Sequence, residues 1–112
     1  MAELNIAIAE DNPLMLELLS SILEEEDGFH VVGKADNGED AYQMIMDKKP
    51  DIVLLDVIMP KLDGITVLEK VRAANIGKDM PAVIMVTAAG NETVASAAFR
   101  NGASYYILKP FD

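Results

Sequence analysis

Five short hydrophobic runs recur along this chain, and helical periodicity fills most of the intervals between them. The first run, Leu4 to Ala9, reads as a strand. Asn12 and Pro13 then open a helix, Asn12 as its N-cap and Pro13 in its first turn. Met15, Leu18, Leu19 and Ile22 follow at the spacing of a core-facing helical stripe. The acidic run Glu24 to Asp27, then Gly28, ends that helix as a solvated terminus. Phe29 to Lys34 is a second strand with the character of a sheet edge, and Asn37-Gly38 is a turn. Glu39 to Lys49 is a helix with Ala41, Tyr42, Ile45 and Met46 inward. Ile52 to Leu55 is the third strand, followed by a loop from Val57 to Leu62 and a helix from Gly64 to Asn75 that buries Val67, Leu68 and Val71. Gly77 and Pro81 punctuate the approach to the fourth strand, Ala82 to Val86. Asn91 to Asn101 is a helix with Gly102 at its C-cap, and the fifth strand runs from Ser104 to Leu108.

Strands alternating with helices predict an α/β fold with a doubly wound parallel sheet. The strand runs are almost continuously apolar, as strands covered on both faces are. No helical pattern follows the fifth strand, so the sequence is expected to stop before a last helix or to borrow one from a second copy.

Four of the five runs end in a polar residue or pair. Glu10-Asp11 follows the first strand, Asp56 the third, Thr87 the fourth and Lys109 the fifth. Ligands of open α/β sheets bind outside the carboxyl ends of the strands, where the winding direction reverses. In the order 2-1-3-4-5 that point lies between strands one and three, so Glu10, Asp11 and Asp56 should converge. Three carboxylates at close range oppose one another's ionisation unless a cation joins them. Mg2+ suits such a set, because it takes oxygen ligands and shares its shell with water and phosphate; Mn2+ or Ca2+ would substitute. An ammonium at Lys109 and a hydroxyl at Thr87 would hold the oxygens of a phosphoryl group carried by Asp56. Taken singly, Asp56 reads equally well as a loop cap, Thr87 as a buried hydroxyl and Lys109 as a solvated charge. Their joint placement at strand ends favours one pocket.

Composition narrows the class. A chain of 112 residues is one domain, large enough for a real core. It has no cysteine, which excludes disulfides and thiolate metal sites and fits a reducing cytoplasm. There is neither a membrane-spanning stretch nor a basic and apolar leader at Met1 to Asn5. A net charge of −10 repels nucleic acid and favours basic partners and cations. The single histidine, His30, reads as an exposed strand residue.

Glu10-Asp11, the segment from Asp56 through Met59-Pro60 to Asp63-Gly64, Thr87-Ala88 and Lys109-Pro110-Phe111 together resemble the receiver domains of bacterial two-component response regulators. The resemblance spans the whole chain and implies a flavodoxin-like receiver with strand order 2-1-3-4-5. Within the family, Leu55 to Pro60 and Ala103 to Asp112 are most similar to receivers that initiate sporulation in spore-forming Firmicutes. The resemblance implies that Asp56 is the phosphoacceptor. Glu10, Asp11, Asp56 and the backbone carbonyl of Ile58 would be the metal ligands. Lys109 and the Ala88 backbone would contact the phosphoryl group, and Thr87 and Tyr106 would form the conformational switch. It also implies an effector domain that binds DNA, outside this chain.

Hydrolysis in this family depends on the side chains two residues beyond the phosphoacceptor and the switch threonine. Here these are Ile58 and Ala89, neither able to orient water, so slow dephosphorylation is expected. Leu14, Leu16 and Leu23 widen the apolar face of the first helix, and Leu14 is the expected docking residue for a histidine-phosphotransfer protein or sensor kinase. Homodimer formation, on activation or by helix exchange, is a further expected contact; nucleic acid and membrane are not. The alternative function is a Mg2+-dependent phosphatase with an aspartate nucleophile. Many such enzymes carry an acid two residues after the nucleophile, where this chain has Ile58, and a cap domain that it lacks.

Overall fold

The computed structural model describes residues 3–57, 59–74, 80–87, 96, 100 and 102–108; for Thr87 and residues 105–108 it describes the backbone. Its elements are β1 (Leu4–Ala9), α1 (Pro13–Glu24), β2 (Phe29–Ala35), α2 (Gly38–Lys48), β3 (Ile52–Asp56), α3 (Gly64–Ala74), β4 (Ala82–Thr87) and β5 (Tyr105–Leu108). The expected helix from Asn91 to Asn101 lies almost wholly outside the described residues; Ser96 and Arg100 within it are helical. The five strands form one parallel sheet in the order β2-β1-β3-β4-β5, with β2 at an edge as expected. None of the described helices is long and apolar enough to cross a membrane.

Handedness explains the layers. The step from β1 to β2 runs one way across the sheet, and every later step runs the other way. Right-handed crossovers therefore put α1 on one face and α2 and α3 on the other. The α2/α3 face is the dense one. Paired residues Ala7, Val53 and Val83, and the next row Ala9, Leu55 and Met85, pack with Ala41 and Ile45 of α2 and Val67, Leu68 and Val71 of α3. All of these are at most 4% exposed. The alternate residues point to the α1 side. Ile6, Ile8 and Val86 are buried there, whereas Ile52, Leu54 and Ile84 are half-buried.

The cap of α1 follows the sequence, and the structure adds caps at α2 and α3. Asn12 caps α1, its Oδ1 accepting from the amides of Leu14 (3.0 Å) and Met15 (3.2 Å), with Pro13 at the first position. Asp63 caps α3 through the Thr66 amide (2.9 Å) and hydroxyl (3.0 Å). Asn37 is more than a turn residue. Its buried side chain caps α2 through the Asp40 amide (2.9 Å), so the helix starts at Gly38. Glu24 also differs from a purely solvated end, since its carboxylate accepts from the Val31 amide of edge strand β2 at 2.9 Å.

The core stripe expected on α1 is rotated by about one position. Leu18 is 52% and Ile22 50% exposed, while Ser20 is buried and Met15, Leu16, Leu19 and Leu23 are half-buried. The apolar arc of α1 is wider than one packing face needs, and packing against β1 and β2 turns it toward Leu16, Leu23 and Ser20. On α2, Ala41 and Ile45 are buried as expected, and Tyr42 and Met46 sit at the margin. His30 is exposed.

Candidate functional site

The central strands β1 and β3 pair with Ala9 beside Leu55, so the residues that follow leave the sheet side by side at its carboxyl edge. Glu10 is 1% exposed and Asp56 4% exposed, although both carry carboxyl groups. Asp11 beside them is exposed. One carboxylate oxygen from each of Glu10, Asp11 and Asp56 lies within 4.8 Å of the others. The three expected ligand side chains thus meet at the point where the sheet reverses its winding.

Local hydrogen bonds fix this geometry. The Glu10 amide donates to the Ala35 carbonyl (2.9 Å), extending the β1–β2 ladder by one residue. Glu10 Oε2 accepts from the Asn12 amide at 3.0 Å, which ties the carboxylate to the first turn of α1. Beyond Asp56, the Val57 amide donates to the Val86 carbonyl at 3.3 Å, holding the strand end against β4. The Gly64 amide donates to the Val57 carbonyl at 2.7 Å. A Cβ at Gly64 would overlap the backbone carbonyl oxygen of Asp56, so only glycine lets α3 start this close to the phosphoacceptor candidate.

The loop between β3 and α3 is a tight one. Lys61 has φ +70°, and the Leu62 amide donates across it to the Pro60 carbonyl at 2.8 Å. This is a γ-turn of the strained, positive-φ kind. Spacing alone gave no sign of it, since lysine rarely occupies such a conformation.

The other expected residues fall as follows. Asp56 pairs with Val86, so Thr87 is one residue further along β4 at the same sheet edge, and its backbone pairs with Leu108 of β5. Tyr106 pairs with Met85. The side chains of Thr87 and Tyr106, and all of Ile58, Ala88, Ala89 and Lys109, lie outside what is described. Leu14, the expected docking residue, is 82% exposed in the first turn of α1, two residues after the Asn12 cap that holds Glu10. With Leu18 and Ile22 it forms an exposed apolar row along that helix.

Comparison with known proteins gives the class. Residues 6–112 match the family described as Response regulator receiver domain, and the chain belongs to that family. Its members are signalling domains rather than turnover enzymes, and their fold is the flavodoxin-like α/β sheet described above. Among solved structures, the signal receiver domain of NarL from Mycobacterium tuberculosis is 28% identical, with a TM-score of 0.91, covering 100% of this chain and 88% of that one. The response regulator domain of CheB from Thermotoga maritima is 31% identical over 96% of this chain and 79% of that one, with a TM-score of 0.86. A chain of the CheX–CheY complex with BeF3 and Mg from Borrelia burgdorferi is 32% identical, TM-score 0.89, over 99% of this chain and 81% of that one.

Proposed function

We propose that this receiver accepts a phosphoryl group on Asp56 with Mg2+ held by Glu10, Asp11 and Asp56. The observation that carries the reading is the burial of Glu10 and Asp56 together, with Asp11 in reach, within 4.8 Å. Two desolvated carboxylates repel each other and lose hydration, and a divalent cation offsets both costs. All three side chains offer hard oxygen donors, and the exposed side at Asp11 leaves room for the waters Mg2+ retains. When bound, the ion neutralises charge on the carboxylates and on the phosphoryl oxygens. The similar CheX–CheY structure from Borrelia burgdorferi, a complex with BeF3 and Mg2+, supports the same reading.

The reaction is a transfer between nucleophiles. A carboxylate oxygen of Asp56 attacks phosphorus in line, forming a new P–O bond and an acyl phosphate. The P–N bond of a phosphohistidine donor breaks, and its electron pair leaves with the imidazole, which takes a proton. The Gly64 contact and the Val57–Val86 hydrogen bond keep the carboxylate at a fixed height for this attack. Lys109 pairs with the phosphoryl oxygens, joined by the Thr87 hydroxyl and the Ala88 amide. The Ile58 carbonyl completes the protein ligands. Tyr106 follows Thr87 as the switch, biasing a two-state element that an effector domain reads. With Ile58 and Ala89 apolar, the label is lost slowly.

The partner in this reading is a histidine-phosphotransfer protein or sensor kinase seated on Leu14, and the effector is a DNA-binding transcriptional domain. Segments 55–60 and 103–112 favour a regulator of sporulation, and that narrower reading stands on those segments alone.

Incubation with acetyl phosphate, followed by intact mass, tests the reaction. The chain gains one phosphoryl group with Mg2+ and none with chelator, and Asp56→Asn gains none. Labelling that persists in Asp56→Asn overturns the assignment. Continuous release of phosphate from a small ester would favour the phosphatase alternative instead.

A further inference from the structure

The turn between β2 and α2 touches the loop that follows Asp56. Gly38, first residue of α2, donates its amide to the Pro60 carbonyl at 3.2 Å. Its Cα lies so close to the chain that a Cβ there would overlap the carbonyl oxygen of Leu62. The obstacle is backbone, so no rotamer change relieves it. Asn37 holds Gly38 in this place from the other side. Its buried amide bonds the Asp36 and Asp40 carboxylates, each at 2.9 Å, while its Oδ1 caps the helix. The segment so contacted is the strained one, with Lys61 at φ +70° between the two carbonyls that meet Gly38. At its far ends the same loop is pinned to Val57 and the Asp56 carbonyl through Gly64.

We propose that Gly38 is a positioning residue for the acidic site: the bare N-terminus of α2 sets the height of the β3–α3 loop against Asp56. The inference rests on the reading of Glu10, Asp11 and Asp56 as a Mg2+ site. Mg2+ demands near-ideal octahedral geometry, so a loop displaced by a methyl group's width degrades the site without dismantling it. Groups outside the direct ligands that orient them change metal affinity by about 10- to 100-fold when lost. Coupling is reciprocal, so a cation that orders the loop must also strengthen the Gly38–Pro60 hydrogen bond.

Two measurements on the 112-residue chain test this. The first is calorimetric titration with MgCl2 of wild type, Gly38→Ala and Gly33→Ala. Gly33 is the matched control, because its added Cβ meets flexible side chains and no backbone, Met44 Sδ at 2.7 Å and Cγ at 2.9 Å and Lys48 Cγ at 3.9 Å. Gly38→Ala is expected to weaken Mg2+ by about tenfold or more, and Gly33→Ala to stay within about twofold of wild type. The second is amide hydrogen exchange of the wild type, which needs no variant to fold. Saturating Mg2+ slows exchange at Gly38 and leaves the edge-strand amides of β2 unchanged. A folded Gly38→Ala with wild-type Mg2+ affinity, or a Gly38 amide indifferent to Mg2+ that the wild type demonstrably binds, overturns the proposal. Wild type that binds no Mg2+ fails differently, since it removes the cation site itself.

Discussion

The two faces of the sheet are built from similar residues and are covered very differently. On the α2/α3 side, Ala7, Ala9, Val53, Leu55, Val83 and Met85 are at most 2% exposed. On the α1 side, Ile6 and Ile8 are buried, but Ile52, Leu54 and Ile84 on the neighbouring strands are only half-buried. The cause is width. A helix is about 10 Å across and strands are spaced about 4.8 Å apart, so one helix covers roughly two strands. Reversal of the winding gives α1 its face alone among the described helices, over β1 and β2. The acidic site lies where that reversal occurs. The reversal of winding that sets α1 on the opposite face from α2 and α3 thus also brings Glu10, Asp11 and Asp56 together.

Adjacent leucines in β3 provide the strongest test of this asymmetry. Leu55→Ala, on the dense face, is expected to cost about 3–4 kcal/mol of unfolding free energy in urea denaturation. Leu54→Ala, on the less covered face, should cost about half as much, roughly 1.5 kcal/mol, because part of its surface already meets water. Equal costs would mean that both faces are equally covered in solution and would break the comparison. The smallest effect belongs to α1. Leu14→Glu should change stability by less than about 0.5 kcal/mol, because Leu14 is 82% exposed, yet slow phosphoryl transfer from a protein donor while leaving acetyl phosphate labelling intact. Equal slowing with both donors would place Leu14 in the chemistry rather than in docking.

Much of this arrangement was legible in the sequence, for reasons that differ by region. The strands announced themselves as apolar runs, and their polar ends marked Glu10, Asp11 and Asp56 as candidates that the strand order 2-1-3-4-5 would bring together. Asn12-Pro13 carries its capping chemistry in the side chain, whereas the Asp63 cap of α3 emerged only from the structure. The rotation of α1 was not legible, since Glu17, Ser20, Ser21 and Glu24 form a polar stripe at helical spacing and packing turns part of that stripe inward. Ser20, the one buried residue of that helix, is polar. The role of Gly38 was hidden as well, because Asn37-Gly38 has the composition of any turn. Its meaning depends on a backbone carbonyl at Leu62, distant in sequence. Close backbone approach and the positive φ of Lys61 are tertiary facts that no pattern of hydrophobic and polar residues encodes.

The central claim is that Glu10, Asp11 and Asp56 act as one cation site. Calorimetric titration of Mg2+ into wild type, Glu10→Gln, Asp11→Asn and Asp56→Asn addresses it most directly. The account predicts a single site in wild type and a loss of about tenfold or more in affinity in each variant. Binding that survives unchanged in the variants, or at a stoichiometry above one, would contradict it.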